Sequence, residues 1–341
     1  MNLQKNNTLE LLKLFASYMV VFIHVKFYGR LGPVMDTLAR FAVPFFFLVS
    51  GFCSYKITCE KIKKRIRNIL TLLIFSVVCC TAFKVAMLLA KGNMDEIMSY
   101  LSNYLDIVVL AKMFVFNATI SSVHLWYLFA ILYVYVIFFF ATKFRLSDKI
   151  IFIISFCLLL LQLLLGEVLS VFGIALPKII VRNFLVMGIP FFGLGLFVKK
   201  YAHKFRSIPN YVIFAFIIIG SIEPLLSRHF FGENELYSGT LLVLFAVVCV
   251  LIKYSDVRYP SVFVALEGCS TYIYIFHIMI SAVINRMYTI VGIDKGSSML
   301  LSNIHPILVC ICSTIFAHFI IRIYNKAKQK QALMAQRTTA E

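Results

Sequence analysis

The sequence predicts an all-α polytopic membrane protein, with about ten transmembrane helices in one bundle. Three observations support this prediction. Hydrophobic residues make up 61% of the 341-residue chain and charged residues 14%, and the mean hydropathy is +0.92, whereas soluble domains are roughly half apolar. Apolar runs long enough to cross a bilayer recur along the whole chain. Lysine and arginine are concentrated in alternate loops between these runs.

The apolar runs define the predicted elements in order. A transmembrane helix needs about 20 predominantly apolar residues, and the predicted spans are 8–28, 36–55, 69–90, 123–141, 150–172, 183–198, 210–227, 237–253, 268–290 and 304–324. We predict one integral membrane domain over residues 1–325 and a basic cytoplasmic tail over residues 326–341. The longest loop, 91–122, has apolar residues at helical spacing and is expected to form an amphipathic helix at the outer membrane surface.

The distribution of Lys and Arg predicts the orientation, because cytoplasmic loops are enriched in these residues. With the N-terminus in the cytoplasm, the inner tails and loops hold 21 of the 33 Lys and Arg residues, the outer loops hold 8 and the spans hold 4. Both termini are therefore expected in the cytoplasm. The net charge of +18 follows from this topology, so we expect the lipid bilayer and not a nucleic acid as the partner. The nine cysteines show no metal-ligand spacing, and no metal site is predicted.

Two ionisable residues interrupt the first span, LELLKLFASYMVVFIHVKF. Lys13 and His24 are separated by three helical turns plus roughly 20°, so they share a face about 16 Å apart along the axis. Ionisable groups inside spans cost several kcal/mol and normally face a polar interior or a water-filled cavity. The pair predicts that this helix lines such a cavity. The alternative is that Lys13 reaches the lipid headgroups and that His24 makes a structural hydrogen bond.

Several segments after the first span form an ordered set. The next span, ARFAVPFFFLVSGF, contains Arg40 and ends in Ser50, Gly51 and Phe52. It is followed by HLWYL from His124, GIPFFGLGLF from Gly188 and STYIYIFHIMI from Ser270. Together with Lys13 and His24, this set resembles bacterial acyltransferase family 3, whose members are multi-pass membrane O-acyltransferases. The resemblance covers nearly the whole chain. The family usually has Arg at the position of Lys13, which keeps the charge but not the planar, bidentate geometry.

The resemblance implies a membrane O-acyltransferase, in particular an O-acetyltransferase, in the bacterial cytoplasmic membrane. The acyl group would come from cytoplasmic acetyl-CoA or another acyl-CoA, a co-substrate and not a tightly bound cofactor. The acceptor would be a hydroxyl of a cell-surface or lipid-linked glycan. Longer family members have an extracytoplasmic domain after the last span. We expect this chain either to complete the transfer alone or to pass the acyl group to a separate extracytoplasmic partner protein.

His24 is the predicted catalytic base, because a neutral imidazole can take the proton of the attacking hydroxyl near neutral pH. A covalent acyl-histidine is the less favoured variant. Arg40, in the same predicted half of the membrane, is the second predicted catalytic residue and would stabilise the oxyanion. Glu167 and Glu223 are the carboxylates considered for orienting His24, and the sequence does not choose between them.

The acyl-CoA site is predicted at Lys13, Ser50, Gly51, Lys64 and Arg67. Lys64 and Arg67 lie one helical turn apart in the inner segment KITCEKIKKRIRN and could bind the phosphates of CoA. The alternative is that these cations only fix the topology. Ser50 and Gly51 would allow close approach of the pantetheine arm, or tight packing between helices.

The acceptor site is predicted at His124, Trp126, Tyr274 and His277. For His277, substrate contact and a structural hydrogen bond both stay open. Trp126, the only tryptophan, is also the kind of residue that marks a membrane interface. A rival function is a transporter or flippase for a polar solute that uses the same intramembrane charges.

Overall fold

The computed structural model describes residues 7–255, 257, 260, 263, 265–294, 296 and 298–338, with side chains up to residue 329. Within these ranges the chain is helical and has no strand, which confirms the all-α prediction. Residues 1–6, at the start of the predicted membrane domain, and residues 339–341, at the end of the predicted tail, lie outside the described residues. So do Lys5, Arg258 and Lys295, which were counted in predicting the orientation.

The helices are α1 (Asn7–His24), α2 (Leu31–Ala39), α3 (Ala42–Phe52), α4 (Cys59–Leu89), α5 (Met94–Ser102), α6 (Ile107–Phe116), α7 (Trp126–Lys143), α8 (Asp148–Leu163), α9 (Leu169–Val171), α10 (Lys178–Val181), α11 (Ile189–Lys200), α12 (Ala202–Arg206), α13 (Asn210–Phe231), α14 (Ser238–Lys253), α15 (Cys269–Ile290) and α16 (Met299–Thr338). A π-helical turn, Leu164–Val168, joins α8 to α9, and a second, Phe184–Gly188, precedes α11. The last helix therefore continues into the predicted tail.

Eight helical segments in the described part of the chain are long and apolar enough to cross a membrane, so the predicted count of ten is too high. The helix pair α5 and α6 would make a ninth span if it crosses as one bent unit. Two predicted spans do not reach this standard. In α1, six polar or charged residues (Asn7, Thr8, Glu10, Lys13, Ser17 and His24) lower the mean hydropathy of an 18-residue helix. The helix α14 has only 16 residues, or about 24 Å, against a hydrocarbon core of about 30 Å.

The loop predicted at 91–122 contains two helices where one was expected. The side chain of Asn93 accepts a hydrogen bond from the backbone of Glu96 and begins α5, and Asp106 accepts one from Val108 (2.8 Å) and begins α6. Because each residue caps a new helix, the chain bends by 58° between them. The single amphipathic helix is therefore corrected to a bent pair.

The described residues pack as two compact units, one formed by those up to Ala39 and those from Tyr254 onward, and the other by Arg40–Lys253. In the first unit, α1 packs against α2, α15 and α16. Its core includes Leu14 and Val21 of α1, Ile273 of α15 and Val309 of α16. Burial of these apolar side chains holds the end of α1, and with it His24, against α15.

In the second unit, α3 and α11 approach through glycines. A Cβ atom on Gly51 would overlap the backbone carbonyl of Phe192, and one on Gly195 would overlap that of Leu48. Small residues allow such close backbone contact between membrane helices. The glycines therefore fix the position of the Ser-Gly end of α3.

The basic segment before the third predicted span is helical and not a loop. Thr58 accepts a hydrogen bond from the backbone of Lys61 (3.4 Å) and begins α4 about ten residues before the predicted start of the span. Ile62 is completely buried, while Lys64 and Arg67 are exposed on other faces of the same helix. The helical period thus separates the cations of this segment into different environments.

Candidate active site

The structure brings His24, the predicted base, next to His277, a predicted acceptor-binding residue. His24 is the last residue of α1 and is partly buried, whereas His277 lies in the middle of α15 and is completely buried. Their ring centroids are 5.4 Å apart, with the ring planes inclined by 40°. The first unit therefore contains a pair of imidazoles at one end of α1.

The hydrogen bonds of His277 determine which of its nitrogens carries the proton. Its Nδ1 lies 3.1 Å from the carbonyl oxygen of Ile273 and 2.9 Å from that of Tyr274. A carbonyl oxygen only accepts hydrogen bonds, so Nδ1 is the donor. In the neutral ring, Nε2 then carries the lone pair and can accept a hydrogen bond or a proton. Tyr274 itself is buried one turn before His277.

Lys13 lies near the other end of α1, in an ion pair. Its Nζ is 2.5 Å from Oε1 of Glu10, and Oε2 of Glu10 accepts a hydrogen bond from the backbone of Gly268 at the start of α15 (3.4 Å). The two side chains are 25% and 22% exposed. Lys13 therefore sits in a partly hydrated ion pair and not in a completely buried one. Its predicted role towards acyl-CoA stays a prediction.

In the second unit, Arg40 is the centre of an ion-pair network. One terminal nitrogen lies 2.6 Å from Oε1 of Glu233 and the other lies 2.8 Å from Oε2 of Glu235. Arg40 is 6% exposed and Glu235 is 10% exposed. These ion pairs hold Arg40 against Glu233 and Glu235, and its predicted role in stabilising the oxyanion stays a prediction.

Three further cations surround the same two carboxylates. The charge cluster consists of Arg40, Lys178, Arg182, Arg228, Glu233 and Glu235. The two glutamates were missed by the sequence analysis. Their sequence signal is the acidic pair in GENELY. This segment lies in a loop between two predicted spans, at the same predicted end of the bundle as Arg40, so the pair could have been considered as its partner.

The segment HLWYL packs inside the second unit and does not mark its surface. His124 is 1% exposed, and its Nδ1 lies 2.8 Å from the Ser122 hydroxyl. Trp126 is 6% exposed, and the Arg182 guanidinium lies over its ring at 5.4 Å from the centroid. Trp126 is therefore buried beside the charge cluster, and its predicted role in binding the acceptor stays a prediction.

The end of α3 is contacted by Arg65, a residue that the sequence analysis passed over in favour of Lys64 and Arg67. Arg65 donates hydrogen bonds to the Ser54 hydroxyl (2.6 Å), the Tyr135 hydroxyl (3.1 Å) and the Cys53 carbonyl (2.8 Å). The Ser54 hydroxyl in turn donates to the carbonyl of Ser50 (2.5 Å). Ile62 is apolar and lies three residues before Arg65, so the two side chains share a helix face. An apolar residue on that face predicts that it is the buried one, as the structure shows for Ile62, and this pattern could have identified Arg65 as the inward-facing cation.

Glu167 and Glu223, the carboxylates considered for His24, are bound at the start of α14. Oε2 of Glu167 accepts from the backbone of Ser238 (2.7 Å), and Oε2 of Glu223 accepts from that of Gly239 (2.6 Å). Carboxylates stabilise a helix N-terminus in this way. Both line a mostly apolar cavity of about 890 Å³ between α13 and the segment from the end of α8 to Phe172. Within the described ranges, no group of three or more His, Cys, Asp or Glu is arranged to hold a metal ion.

The helical fold, with eight candidate spans in the described residues, is that of a polytopic membrane protein, and one of its two neighbouring histidines, His277, is completely buried. A family model described as "Acyltransferase domain" matches residues 6–323, nearly the whole chain. The chain belongs to acyltransferase family 3. This confirms the resemblance noted in the sequence.

One relative is an amino-acid racemase of Enterococcus faecalis, which is 25% identical over 367 aligned positions. The alignment covers 98% of this chain and 49% of the relative, so the chain spans about half the length of the curated relative it matches. No solved structure matches the chain.

Proposed function

We propose that the protein is a membrane O-acyltransferase that moves an acyl group, in the simplest case acetyl, from cytoplasmic acyl-CoA to a hydroxyl of a cell-surface or lipid-linked glycan. The observation that carries the proposal is the contact between His24 and His277 in a chain of this family. An imidazole pair inside a membrane protein is costly unless it is used or fully hydrogen-bonded. It supplies the proton acceptor that ester formation needs.

The reaction proceeds by attack of the acceptor oxygen on the thioester carbonyl. His24 takes the hydroxyl proton as the new C–O bond forms, the C–S bond of the thioester breaks, and the proton passes to the departing thiolate to give free CoA. No other reactant is required. General acid–base catalysis of this kind contributes about 10²- to 10⁴-fold in rate.

His277 would support His24 through its Nε2. Because the backbone carbonyls hold the proton on Nδ1, the lone pair on Nε2 is available to accept a hydrogen bond from a protonated His24. This would stabilise the imidazolium that forms as the hydroxyl loses its proton, the role that a carboxylate has in serine hydrolases. In this proposal His24 is the base and His277 orients it.

The donor would enter beside the Ser-Gly end of α3. Lys64 and Arg67 are exposed on α4, where their charges are available to the phosphates of CoA. Ser50 lies next to the hydrogen-bonded contact of Arg65 with Ser54, and Gly51 is in tight contact with α11. Lys13 stays part of the proposed acyl-CoA site as a further positive charge. In this scheme acyl-CoA is a co-substrate and leaves as CoA.

The acceptor would bind at His124, Trp126, Tyr274 and His277. We place the protein in the bacterial cytoplasmic membrane with both termini in the cytoplasm, on the basis of the Lys and Arg distribution. A separate extracytoplasmic partner protein that takes the acyl group remains part of the proposal. The relative's name concerns racemisation, and the match to half of that protein gives no reason to assign racemisation to this chain.

The rival proposal is a transporter or flippase for a polar solute. The ionisable residues in and beside the candidate spans are compatible with both functions. To separate them, purified protein in lipid vesicles is given [¹⁴C]acetyl-CoA and a panel of glycan acceptors, and the radioactive ester is counted. Ester that forms only with protein and acceptor supports the acyltransferase. Solute movement across the vesicle membrane without CoA, and without any ester, would instead support the transporter.

A further inference from the structure

Arg182 lies at the edge of the charge cluster and differs from its other cations. Its guanidinium is over the ring of Trp126, and its nearest carboxylate oxygen, on Glu235, is 3.9 Å from NH1. That distance is too long for a hydrogen bond. Arg182 makes no hydrogen bond through its side chain in the part of the chain that the structure describes, although a guanidinium has five N–H donors. Its side chain is 20% exposed and can be reached from solvent.

The backbone on both sides of Arg182 is fixed. The carbonyl of Val181 accepts a hydrogen bond (2.8 Å) from the side-chain Nε2 of Gln162, a residue that is completely buried. The side chain of Asn183 accepts one from the backbone of Leu185 (2.9 Å), at the start of the turn that leads into α11. Arg182 is thus held between two anchored residues, which is how binding side chains are kept in position before a ligand arrives.

Three of the four carboxylate oxygens of the cluster are engaged by other cations, and the fourth, Oε1 of Glu235, makes no hydrogen bond within the described residues and lies 3.9 Å from Arg182. Arg40 binds one oxygen of each carboxylate at 2.6 and 2.8 Å. Arg228 lies 3.4 Å from the second oxygen of Glu233. Four cations share two carboxylates in this cluster, so the cluster as a whole has an excess of positive charge.

We propose that Arg182 binds an anionic group, a phosphate or a carboxylate, on the acyl acceptor. The planar guanidinium matches the two oxygens of either group through parallel hydrogen bonds. Stacking on Trp126 orients the guanidinium while leaving the donors at its edge available. The inference rests on the proposed function only in identifying the bound anion as the acceptor. It restricts that acceptor to glycans with a lipid-linked phosphate or an acidic sugar.

The test is a binding measurement on the full-length protein in lipid nanodiscs. Glucose 1-phosphate and glucuronate represent the two sources of negative charge, and glucose is the neutral reference. We expect the wild type to bind at least one of the anions more tightly than glucose. Arg182→Gln should weaken binding of that anion by about 10- to 100-fold, the effect of removing charged hydrogen bonds. Arg182→Lys should recover part of the loss, because it keeps the charge without the bidentate geometry.

The matched control is Lys178→Gln, which removes a positive charge from the same cluster at a side chain that is 62% exposed. It should weaken binding by less than about threefold, since exposed charges interact weakly across water. An equal loss in Lys178→Gln and Arg182→Gln would overturn the proposal, because binding would then depend only on the overall charge. Unchanged binding in a folded Arg182→Gln would also overturn it. Since this assay involves no acyl transfer, its result is independent of whether CoA-dependent acylation is found.

Discussion

His24 and His277 meet with their ring centroids 5.4 Å apart, and the backbone carbonyls of Ile273 and Tyr274 fix the proton of His277 on Nδ1. This contact places His277 beside the proposed base, and the backbone hydrogen bonds of His277 leave its Nε2 as the nitrogen that can accept a hydrogen bond. The roles of the two histidines can be tested separately, because His24 would act on the substrate and His277 would act only through His24.

Replacing His277 by Asn should lower kcat for acyl transfer by about 10- to 100-fold, the range expected when a reacting group loses its positioning. Asn retains an amide N–H near the position of Nδ1 but has no group at Nε2. The measurement is initial rates of ester formation, with unfolding temperatures recorded on the same preparations.

The matched control for this variant is His305→Asn, which also replaces a completely buried histidine of the first unit, one whose Nε2 lies 3.1 Å from the Ser281 hydroxyl. It should change stability and leave kcat nearly unchanged. Equal losses of kcat in both variants would mean that His277 is only a packing residue.

Removing Arg40 should destabilise the second unit by about 3–5 kcal/mol, because Glu235 would be left as a buried carboxylate without its closest cation. The double variant Arg40→Met with Glu235→Gln should recover much of this loss, since it removes both charges. Chemical unfolding in a fixed detergent measures the change. If Arg40 also stabilises the oxyanion, the double variant will be stable but slow in acyl transfer, and if it is purely structural, activity will return with stability.

Arg65→Lys should destabilise the protein by about 1–2 kcal/mol, because lysine cannot reproduce the three hydrogen bonds of the guanidinium to Ser54, Tyr135 and Cys53. Lys64→Gln is the adjacent control on an exposed face of the same helix. It should leave the unfolding transition unchanged and raise the KM for acetyl-CoA. A stability loss in Lys64→Gln as large as that in Arg65→Lys would contradict the assignment of Lys64 to the exposed face of α4 and of Arg65 to the face that contacts α3.

Gly51→Ala should impair folding, since the added methyl group would overlap the backbone of Phe192, which cannot move away as a flexible side chain could. Gly166→Ala is the comparison, because a Cβ atom there would meet its nearest neighbour, the carbonyl of Leu236, at 3.9 Å. The yield of monodisperse protein and its unfolding temperature give the result. Normal folding of Gly51→Ala would show that α3 and α11 can separate.

Helical class and most spans could be predicted because apolar length alone determines them. The helix that carries Lys13 and His24 could also be predicted from its apolar run, although α1 ends at His24 and not at residue 28. The contact with His277 could not be predicted, because it depends on how α1 packs against α15. Many helices of this chain have similar apolar surfaces, so the sequence does not show which of them pack together.

The remaining errors arise where polar residues change the local structure. The sequence did not single out Arg65, because the inward facing of its side chain depends on how α4 packs, while the prediction for Lys64 and Arg67 stays a prediction. The pairing of Arg40 with Glu233 and Glu235 joins distant segments through side chains alone. No periodicity encodes such a contact. Asp106 was counted as part of a loop although it caps a second helix and produces the bend between α5 and α6.

The most direct test of the account is release of free CoA thiol from acetyl-CoA by purified protein in lipid, with a panel of glycan acceptors. Wild type is compared with His24→Ala, and with His229→Ala as an exposed histidine outside the pair. The account predicts acceptor-dependent release that falls by about 10²- to 10⁴-fold in His24→Ala and is unchanged in His229→Ala. Release at the wild-type rate in a folded His24→Ala would contradict the central claim that His24 is the catalytic base.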